Sequence, residues 1–296
     1  MATQTDPKTT LAYEGRFEMP AGADRVFRAL TDPAQVERWF AEKTELSDRI
    51  GGPFRFWGRY TAMCTREDQA DQRLTEFEPG RRLAFTWGWI GNPTRVELAI
   101  EEGEPATLRI RHTAEREFPG FERCGEHLMN DFWRVAAENL RSFLASGEPA
   151  LMVEHGRAGG DAALSIDIEA PIERVWACLT DKEELDAWLT HGASVRLEPG
   201  GAYDYGWEIN GNHCGPRSIV EIDPPRRLVH DWSHVGDETT RTEWLLDPIE
   251  GGTRVTVRQL GTGSERELSG YSNGWAAYLH LLRARATGGP PAKKHG

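Results

Sequence analysis

Aromatic side chains at alternating positions are the residues of this sequence that are best suited to bind a ligand. Tyr203, Tyr205 and Trp207 share one parity, so in a strand they would project from the same face of a sheet. The full candidate set is Tyr203, Tyr205, Trp207, Trp232, Trp244, Tyr271, Trp275, Phe54, Phe56, Phe85, Trp87, His112 and Phe132. Binding cavities favour aromatic rings with a few polar groups, whereas solid cores favour aliphatic side chains. We favour a cavity, although rings that interlock without a void would give the same pattern.

His112 and the pair His127 and Asp131 are the polar side chains whose spacing could support chemistry. His112 continues the strand face of Leu108 and Ile110, either as a rim residue or as a group that orients a ligand, and we favour the rim. His127 and Asp131 stand four residues apart on a predicted helix and can therefore touch. No nucleophile accompanies them, so a surface salt bridge is the favoured interpretation. We predict no catalytic residue.

The sequence lacks the motifs of metal, cofactor and nucleic-acid sites. Its cysteines form no CxxC pair and are predicted to be reduced and mostly buried; they are Cys64, Cys124, Cys178 and Cys214. His213, His230 and His234 match no metal-binding spacing, and no glycine-rich loop is placed to hold a phosphate. The formal net charge of −12 is shared by both halves, which disfavours nucleic acids and anionic membranes as partners. We expect no metal and no cofactor.

The N-terminal residues and the hydropathy pattern predict the location of the protein. Residues 1–8 are polar and contain no apolar stretch of the kind found in a signal peptide. The sequence also has no run of about 18 apolar residues, the length that a membrane-spanning helix needs. We therefore expect a cytoplasmic protein.

Matching segments recur in the same order in the two halves of the chain, which indicates a tandem repeat. The matched pairs are VFRALTD at 26–32 with VWACLTD at 175–181, GGPFRF at 51–56 with GGAYDY at 200–205, FEPGRRL at 77–83 with IDPPRRL at 222–228, and TRVE at 94–97 with TRTE at 240–243. A tryptophan follows the first segment in each half, at Trp39 and Trp188, and we predict that both are packing anchors.

The hydrophobic periodicity predicts an α+β fold. Leu164, Ile166 and Ile168 alternate as in a half-buried strand, and Asp32 followed by Pro33 is typical of a helix start. Each half ends on a long amphipathic helix, with apolar residues at Leu128, Phe132, Ala136 and Leu140 and at Tyr271, Trp275, Leu279 and Leu282. We predict tandem helix-grip domains, each a curved antiparallel sheet of six to seven strands wrapped around a long C-terminal helix, with two short helices after the first strand. The expected boundaries are 11–145 and 162–286, with a linker at 146–161 and a disordered tail at 287–296.

The repeated motifs and this order of elements resemble the SRPBCC (START-like) superfamily, and within it the branch of heat-shock-protein ATPase activator homologues. Members of that branch close with a Gly-Trp-type helix, a feature that Asn273-Gly274-Trp275 matches, while Asp131-Phe132-Trp133 lacks the glycine. The resemblance covers residues 11–145 and 162–286. It implies a hydrophobic cavity between the sheet and the long helix.

Three functions are compatible with this resemblance. The leading hypothesis is the binding or sequestration of a hydrophobic, aromatic small molecule, such as a natural product or metabolite, because self-resistance proteins for enediynes belong to the superfamily. The alternatives are a polyketide cyclase-like enzyme, which shapes a cavity around a reactive chain, and a co-chaperone-like stress protein. We expect the second half to hold the better-formed site, since it places Trp244 where the first half has Leu98 and Trp207 where the first half has Gly58.

Overall fold

A computed structural model describes residues 11–116, 118, 125–156, 161–209, 211–233, 239–261 and 265–289 of the protein. The chain divides into two compact units, unit 1 at Met1–Gly156 and unit 2 at Arg157–Gly296. Of the predicted linker and tail, residues 157–160 and 290–296 lie outside the described residues.

Unit 1 contains one antiparallel sheet, a separate hairpin and a long C-terminal helix. Its elements are β1 (Leu11–Met19), α1 (Ala23–Thr31), α2 (Pro33–Trp39), β2 (Lys43–Leu46), β3 (Phe54–Trp57), a 3-10 turn (Glu67–Gln69), β4 (Arg73–Glu78), β5 (Arg82–Trp89), β6 (Asn92–Glu101), β7 (Ala106–Ala114) and α3 (Gly125–Ser146). The sheet order is β1-β7-β6-β5-β4, and β2 pairs with β3. A bridge between Pro53 and Arg73 joins the hairpin to the sheet, which gives the seven strands predicted for this half.

Unit 2 repeats this plan with shorter strands in its middle part. Its elements are β8 (Ala162–Ile168), α4 (Ile172–Thr180), α5 (Lys182–Trp188), β9 (Ser194–Val195), β10 (Tyr203–Asp204), β11 (Trp207–Ile209), β12 (Asn212–Cys214), β13 (Ile219–Asp223), β14 (Arg227–Trp232), β15 (Thr240–Ile249), β16 (Gly252–Leu260) and α6 (Glu265–Ala286). The sheet order β13-β14-β15-β16-β8 corresponds to that of unit 1 read from the other edge. The predicted tandem helix-grip fold is therefore confirmed.

The two short helices are fixed in the same way in both units. The Asp32 carboxylate accepts a hydrogen bond from the Ala34 N–H, and the Asp181 carboxylate accepts one from the Glu184 N–H, so each caps the second helix of its unit. The tryptophan that ends this helix donates its indole N–H to a carbonyl of the first helix. Trp39 lies 2.8 Å from the Ala29 oxygen, and the Trp188 N–H makes the equivalent bond of 2.9 Å in unit 2.

Residues 147–156, at the start of the predicted linker, pack against unit 1. The amide of Asn139 on α3 pairs with the main chain of Leu151 in both directions, at 2.8 Å to its oxygen and 2.9 Å from its nitrogen. The His155 N–H donates to the Arg59 oxygen at 2.6 Å. Leu151, Val153 and His155 are all buried. This segment therefore belongs to unit 1 by its contacts, although its composition is that of a linker.

We predict that Asn139→Ala lowers the unfolding free energy of a fragment of residues 1–156 by about 2 kcal/mol. The main-chain N–H and C=O of Leu151 would lose their partners while remaining buried. In a fragment of residues 1–146 the same substitution should have little effect, because the paired segment is absent. Urea unfolding of the four proteins measures both losses. Equal losses in the two lengths would show that residues 147–156 contribute nothing.

Candidate ligand-binding site

A cavity with apolar walls lies in unit 1 between the sheet, the two short helices and α3. Its volume is about 30 Å³. The lining residues are Leu30, Val36, Trp39, Phe40, Leu46, Phe54, Phe56, Phe85, Leu98, Leu108, Ile110, Trp133, Ala136, Ala137 and Leu140. A space of this size holds a water molecule but no aromatic ring. It is a local packing gap in a wall that would suit a hydrophobic ligand.

The predicted aromatic residues of unit 1 lie at or next to this cavity. Phe54, Phe56 and Phe85 line it. Trp87 is buried behind them, with its ring centroid 5.0 Å from that of Phe56 and 5.4 Å from that of Phe132. The structure therefore brings these five predicted side chains into one cluster, most of whose rings meet at steep angles.

Two large aromatic side chains at the cavity were not selected from the sequence. Trp133 lines it from α3, and Phe40 lines it from the residue after α2, with its ring centroid 5.1 Å from that of Phe56. A signal for Trp133 was available, since it shares helical spacing with Ala136, Ala137 and Leu140. Phe40 follows its helix, so periodicity does not reveal its direction.

His112 is fully buried in a chain of hydrogen bonds that connects α3 to the sheet. The Trp133 indole N–H donates to His112 Nδ1 at 3.1 Å, so the ring proton is on Nε2. That nitrogen donates to the Thr94 hydroxyl at 2.7 Å, which donates in turn to the Trp87 carbonyl at 2.6 Å. Burial lowers the pKa of His112 to about 3. The rim interpretation is therefore wrong, because His112 has no exposed surface and both ring nitrogens are used within the fold.

Unit 2 contains the same chain with glutamine in place of histidine. The Trp275 N–H donates to Gln259 Oε1 at 3.2 Å, and Gln259 Nε2 donates to the Thr240 hydroxyl at 2.6 Å. The Thr240 hydroxyl then donates to the Trp232 carbonyl at 3.3 Å. Thr242 adds a further bond to the same amide oxygen at 2.8 Å. A neutral imidazole and a primary amide both offer an acceptor and a donor, which allows either residue to occupy this position.

The sheet wall of unit 2 is more polar than that of unit 1. Where unit 1 has Phe54, Phe56, Phe85 and Leu98, unit 2 has Tyr203, Tyr205, His230 and Trp244. The Tyr203 hydroxyl donates to the Leu179 carbonyl at 2.7 Å. The Trp244 N–H donates to His230 Nε2 at 3.1 Å, and His230 Nδ1 donates to the Asp231 carbonyl at 2.7 Å. Burial lowers the pKa of His230 to about 4, which keeps it neutral.

The rings of unit 2 pack closely against one another. The centroid of Trp275 lies 4.9 Å from that of Trp232 and 5.4 Å from that of Trp244, while Tyr205 lies 5.0 Å from Trp207. Tyr278, which the sequence analysis did not select, contacts both Trp207 and Trp275 from α6. It follows Trp275 by three residues and therefore shares its helix face. The predicted Tyr271 is half-buried one turn earlier on α6.

The predicted salt bridge between His127 and Asp131 stays a prediction, although Asp131 is less exposed than expected. His127 is exposed, but one carboxylate oxygen of Asp131 is fully buried even though the residue as a whole is half-buried. This burial raises the pKa of Asp131 to about 7, against the opposing effect of the Arg134 charge. Tyr13, on β1, is buried nearby, and desolvation raises its pKa to about 12.

We predict that His112→Gln makes unit 1 less sensitive to acid. The pKa of His112 is about 3 in the folded protein, below the ordinary value of 6.5, so only the unfolded chain gains this proton as the pH falls through 6.5. Lowering the pH from 7 to 5 therefore reduces the free energy of unfolding by about 2 kcal/mol through this histidine, whereas a glutamine has no such effect.

Urea unfolding of the wild-type protein and His112→Gln at the two pH values measures this difference, and the other buried groups cancel in the comparison. Gln259→His in unit 2 is the reciprocal variant and should add acid sensitivity. Parallel losses of stability in the wild type and His112→Gln would contradict the prediction.

Comparison with known proteins identifies a family and several solved structures. The model of the family "Activator of Hsp90 ATPase homolog 1-like protein" matches residues 20–145 and again residues 169–287. DynU16, a protein in the dynemicin biosynthetic locus, is 21% identical, with 93% of this chain and 98% of its own covered at a TM-score of 0.39. CalU16 from Micromonospora echinospora is 26% identical over 45% of this chain and 78% of its own, at a TM-score of 0.38. The Aha1 dimer from Colwellia psychrerythraea is 18% identical over 43% of this chain and 95% of its own, at a TM-score of 0.38. No curated protein matches the chain.

The described residues include neither a membrane-spanning helix nor a metal-binding cluster. None of their helices is long and apolar enough to cross a membrane, and none of their His, Cys, Asp and Glu side chains form a group of three that could hold a metal. Cys64, Cys178 and Cys214 are buried and form no disulfide, while Cys124 lies outside the described residues.

The family model matches both halves of the chain, and each half contains the antiparallel sheet, two short helices and long closing helix of one fold. The predicted resemblance is thus confirmed. The protein belongs to the family of Activator of Hsp90 ATPase homolog 1-like proteins in the SRPBCC superfamily, and it carries two tandem copies of the family's domain.

Proposed function

We propose that the protein binds a flat, hydrophobic small molecule between the sheet and the long helix. The observation that carries this proposal is the cavity of unit 1, whose wall is formed by apolar side chains and includes rings from β3, β5, α2 and α3. Such a wall gains from an apolar ligand in proportion to the area removed from water. Aromatic rings add edge-to-face and stacked contacts for a planar molecule.

The ligand must enlarge the cavity when it binds. A volume of about 30 Å³ is well below that of ligand pockets, which hold about 300–1,000 Å³. Edge-to-face or tilted contacts join the rings of Phe40, Phe56 and Phe85 to one another or to their neighbours. A ligand ring inserted among them can form contacts of the same kind in place of those that are lost. The gap already present lowers the cost, because its lining lacks part of its van der Waals contacts in the absence of ligand.

We propose sequestration of a finished natural product or metabolite, as in self-resistance, in preference to catalysis on it. His112 is bonded to Trp133, which lines the cavity, and it is held neutral with both ring nitrogens engaged. Proton transfer to a substrate would require this chain of bonds to break. The indole N–H groups of Trp39 and Trp133, which line the cavity, are also used within the fold. These contacts favour binding without reaction.

We predict that Ala136→Val weakens the binding of fluorene, a planar hydrocarbon probe, to unit 1 by at least about tenfold. Ala136 lines the cavity from α3, and the added methyl groups fill the space that a ligand would use. The gap accepts part of this volume, so stability should change by less than about 1.5 kcal/mol.

Ala145→Val is the matched control, because Ala145 lies on the exposed face of the same helix. Equilibrium dialysis of the full chain measures the affinity of the wild type and both variants. Equal affinity in the wild type and Ala136→Val would show that the cavity is not the site, and no saturable binding by the wild type would overturn the proposed function.

A further inference from the structure

Unit 1 buries two tryptophan N–H groups that no other described residue accepts, on Trp87 and Trp89, and unit 2 buries one. Two of these tryptophans stand at equivalent positions in the two units. They are Trp87 in unit 1, which is 1% exposed, and Trp232 in unit 2, which is 6% exposed. The main-chain carbonyls of both residues end the buried hydrogen-bond chains, so each indole ring is held firmly beside the wall of its site. Buried polar atoms without partners are rare in folded proteins and call for an explanation.

Unit 2 differs in having a buried hydroxyl beside this tryptophan, on Tyr205. The Tyr205 side chain is fully buried, and its hydroxyl makes no hydrogen bond with acceptable geometry, although the Tyr203 hydroxyl lies close to it. The ring centroids of Tyr205 and Trp232 are 6.3 Å apart and the rings meet edge to face. Two donors therefore lie on neighbouring rings of the same aromatic cluster.

Tyr205 differs from the other polar side chains that replace apolar residues in the wall of unit 2. Three of the four polar replacements in the wall of unit 2 have an evident internal purpose, because Tyr203, His230 and Trp244 are hydrogen-bonded within the fold. The fourth replacement puts the Tyr205 hydroxyl where unit 1 has Phe56, and this hydroxyl makes no hydrogen bond of good geometry, although the Tyr203 hydroxyl lies close to it. A buried hydroxyl of this kind destabilises the protein unless something else accepts or donates a hydrogen bond.

We infer that Tyr205 and Trp232 recognise a carbonyl oxygen on the ligand of unit 2, which makes flat aromatic ketones and quinones its ligand class. This inference rests on the proposed function. A carbonyl oxygen accepts hydrogen bonds and carries no proton to donate, so it matches an indole N–H and a phenol O–H. The surrounding rings of Trp207 and Trp275 supply the apolar faces for the planar part of the molecule. Unit 1 offers the indole N–H groups of Trp87 and Trp89 but has Phe56 in place of the tyrosine.

The inference is tested with 9-fluorenone and fluorene, which differ by one carbonyl oxygen. Equilibrium dialysis of the full chain should show that the wild type binds fluorenone about tenfold more tightly than fluorene, the ratio expected for one hydrogen bond in a buried site. Tyr205→Phe should reduce this preference to about twofold or less, because only the unpartnered hydroxyl is removed. Phe56→Tyr, the reciprocal change in unit 1, should raise the preference of that unit for fluorenone.

Thermal unfolding of the same variants separates a ligand-binding role from a structural one. Tyr205→Phe should keep or raise the melting temperature, since its hydroxyl has no partner in the fold. Tyr203→Phe is the comparison, and it should lower the melting temperature because its hydroxyl bond to Leu179 is lost.

Saturable binding of both probes with equal affinity by the wild type would overturn the inference and leave the proposed function standing. A lower melting temperature for Tyr205→Phe with an unchanged preference would also overturn it, by showing that the hydroxyl serves the fold, for example through an internal water. Failure of both probes to bind would overturn the proposed function, and the inference with it.

Discussion

In each unit the long helix is held to the sheet by one buried chain of hydrogen bonds, and the positions of the surrounding rings depend on it. The chain begins at a tryptophan N–H on the helix, at Trp133 or Trp275, and ends at the main-chain carbonyl of a strand tryptophan. Each bond contributes only about 1 kcal/mol, but an indole N–H left without its acceptor would cost more. This chain of hydrogen bonds therefore fixes the position of the helix along the sheet. That position determines which aromatic rings contact one another.

The exchange of histidine for glutamine at the centre of this chain shows what the position requires. His112 and Gln259 both accept from the helix and donate to a threonine, so the chain needs one acceptor and one donor, not a charge. The histidine satisfies this only while neutral, and burial keeps it so by lowering its pKa to about 3. A group held in this way is unsuited to proton transfer, because both of its ring nitrogens are engaged within the fold.

The fold was predicted well from the sequence because the repeat and the periodicities are local signals. The burial and hydrogen bonding of an individual side chain depend instead on residues far away in the sequence. Parity placed Tyr203 and Tyr205 on one face correctly, but it could not show that Trp133 covers His112. Residues 147–156 were assigned to the linker from Gly and Pro, although the alternation of Leu151, Val153 and His155 is typical of a packed extended segment.

The polarity of the two walls explains why the described cavity lies in unit 1 when more aromatic residues suggested unit 2. Phenylalanine rings have no polar groups to satisfy, so those of unit 1 can leave a gap without breaking a hydrogen bond. In unit 2, Tyr203 must reach Leu179 and Trp244 must reach His230, and these bonds draw the rings together. These internal hydrogen bonds bring the side chains of the wall together and leave less space between them. On our inference, the polar groups left without good hydrogen bonds, on Tyr205 and Trp232, are the ones that select the ligand that opens this wall.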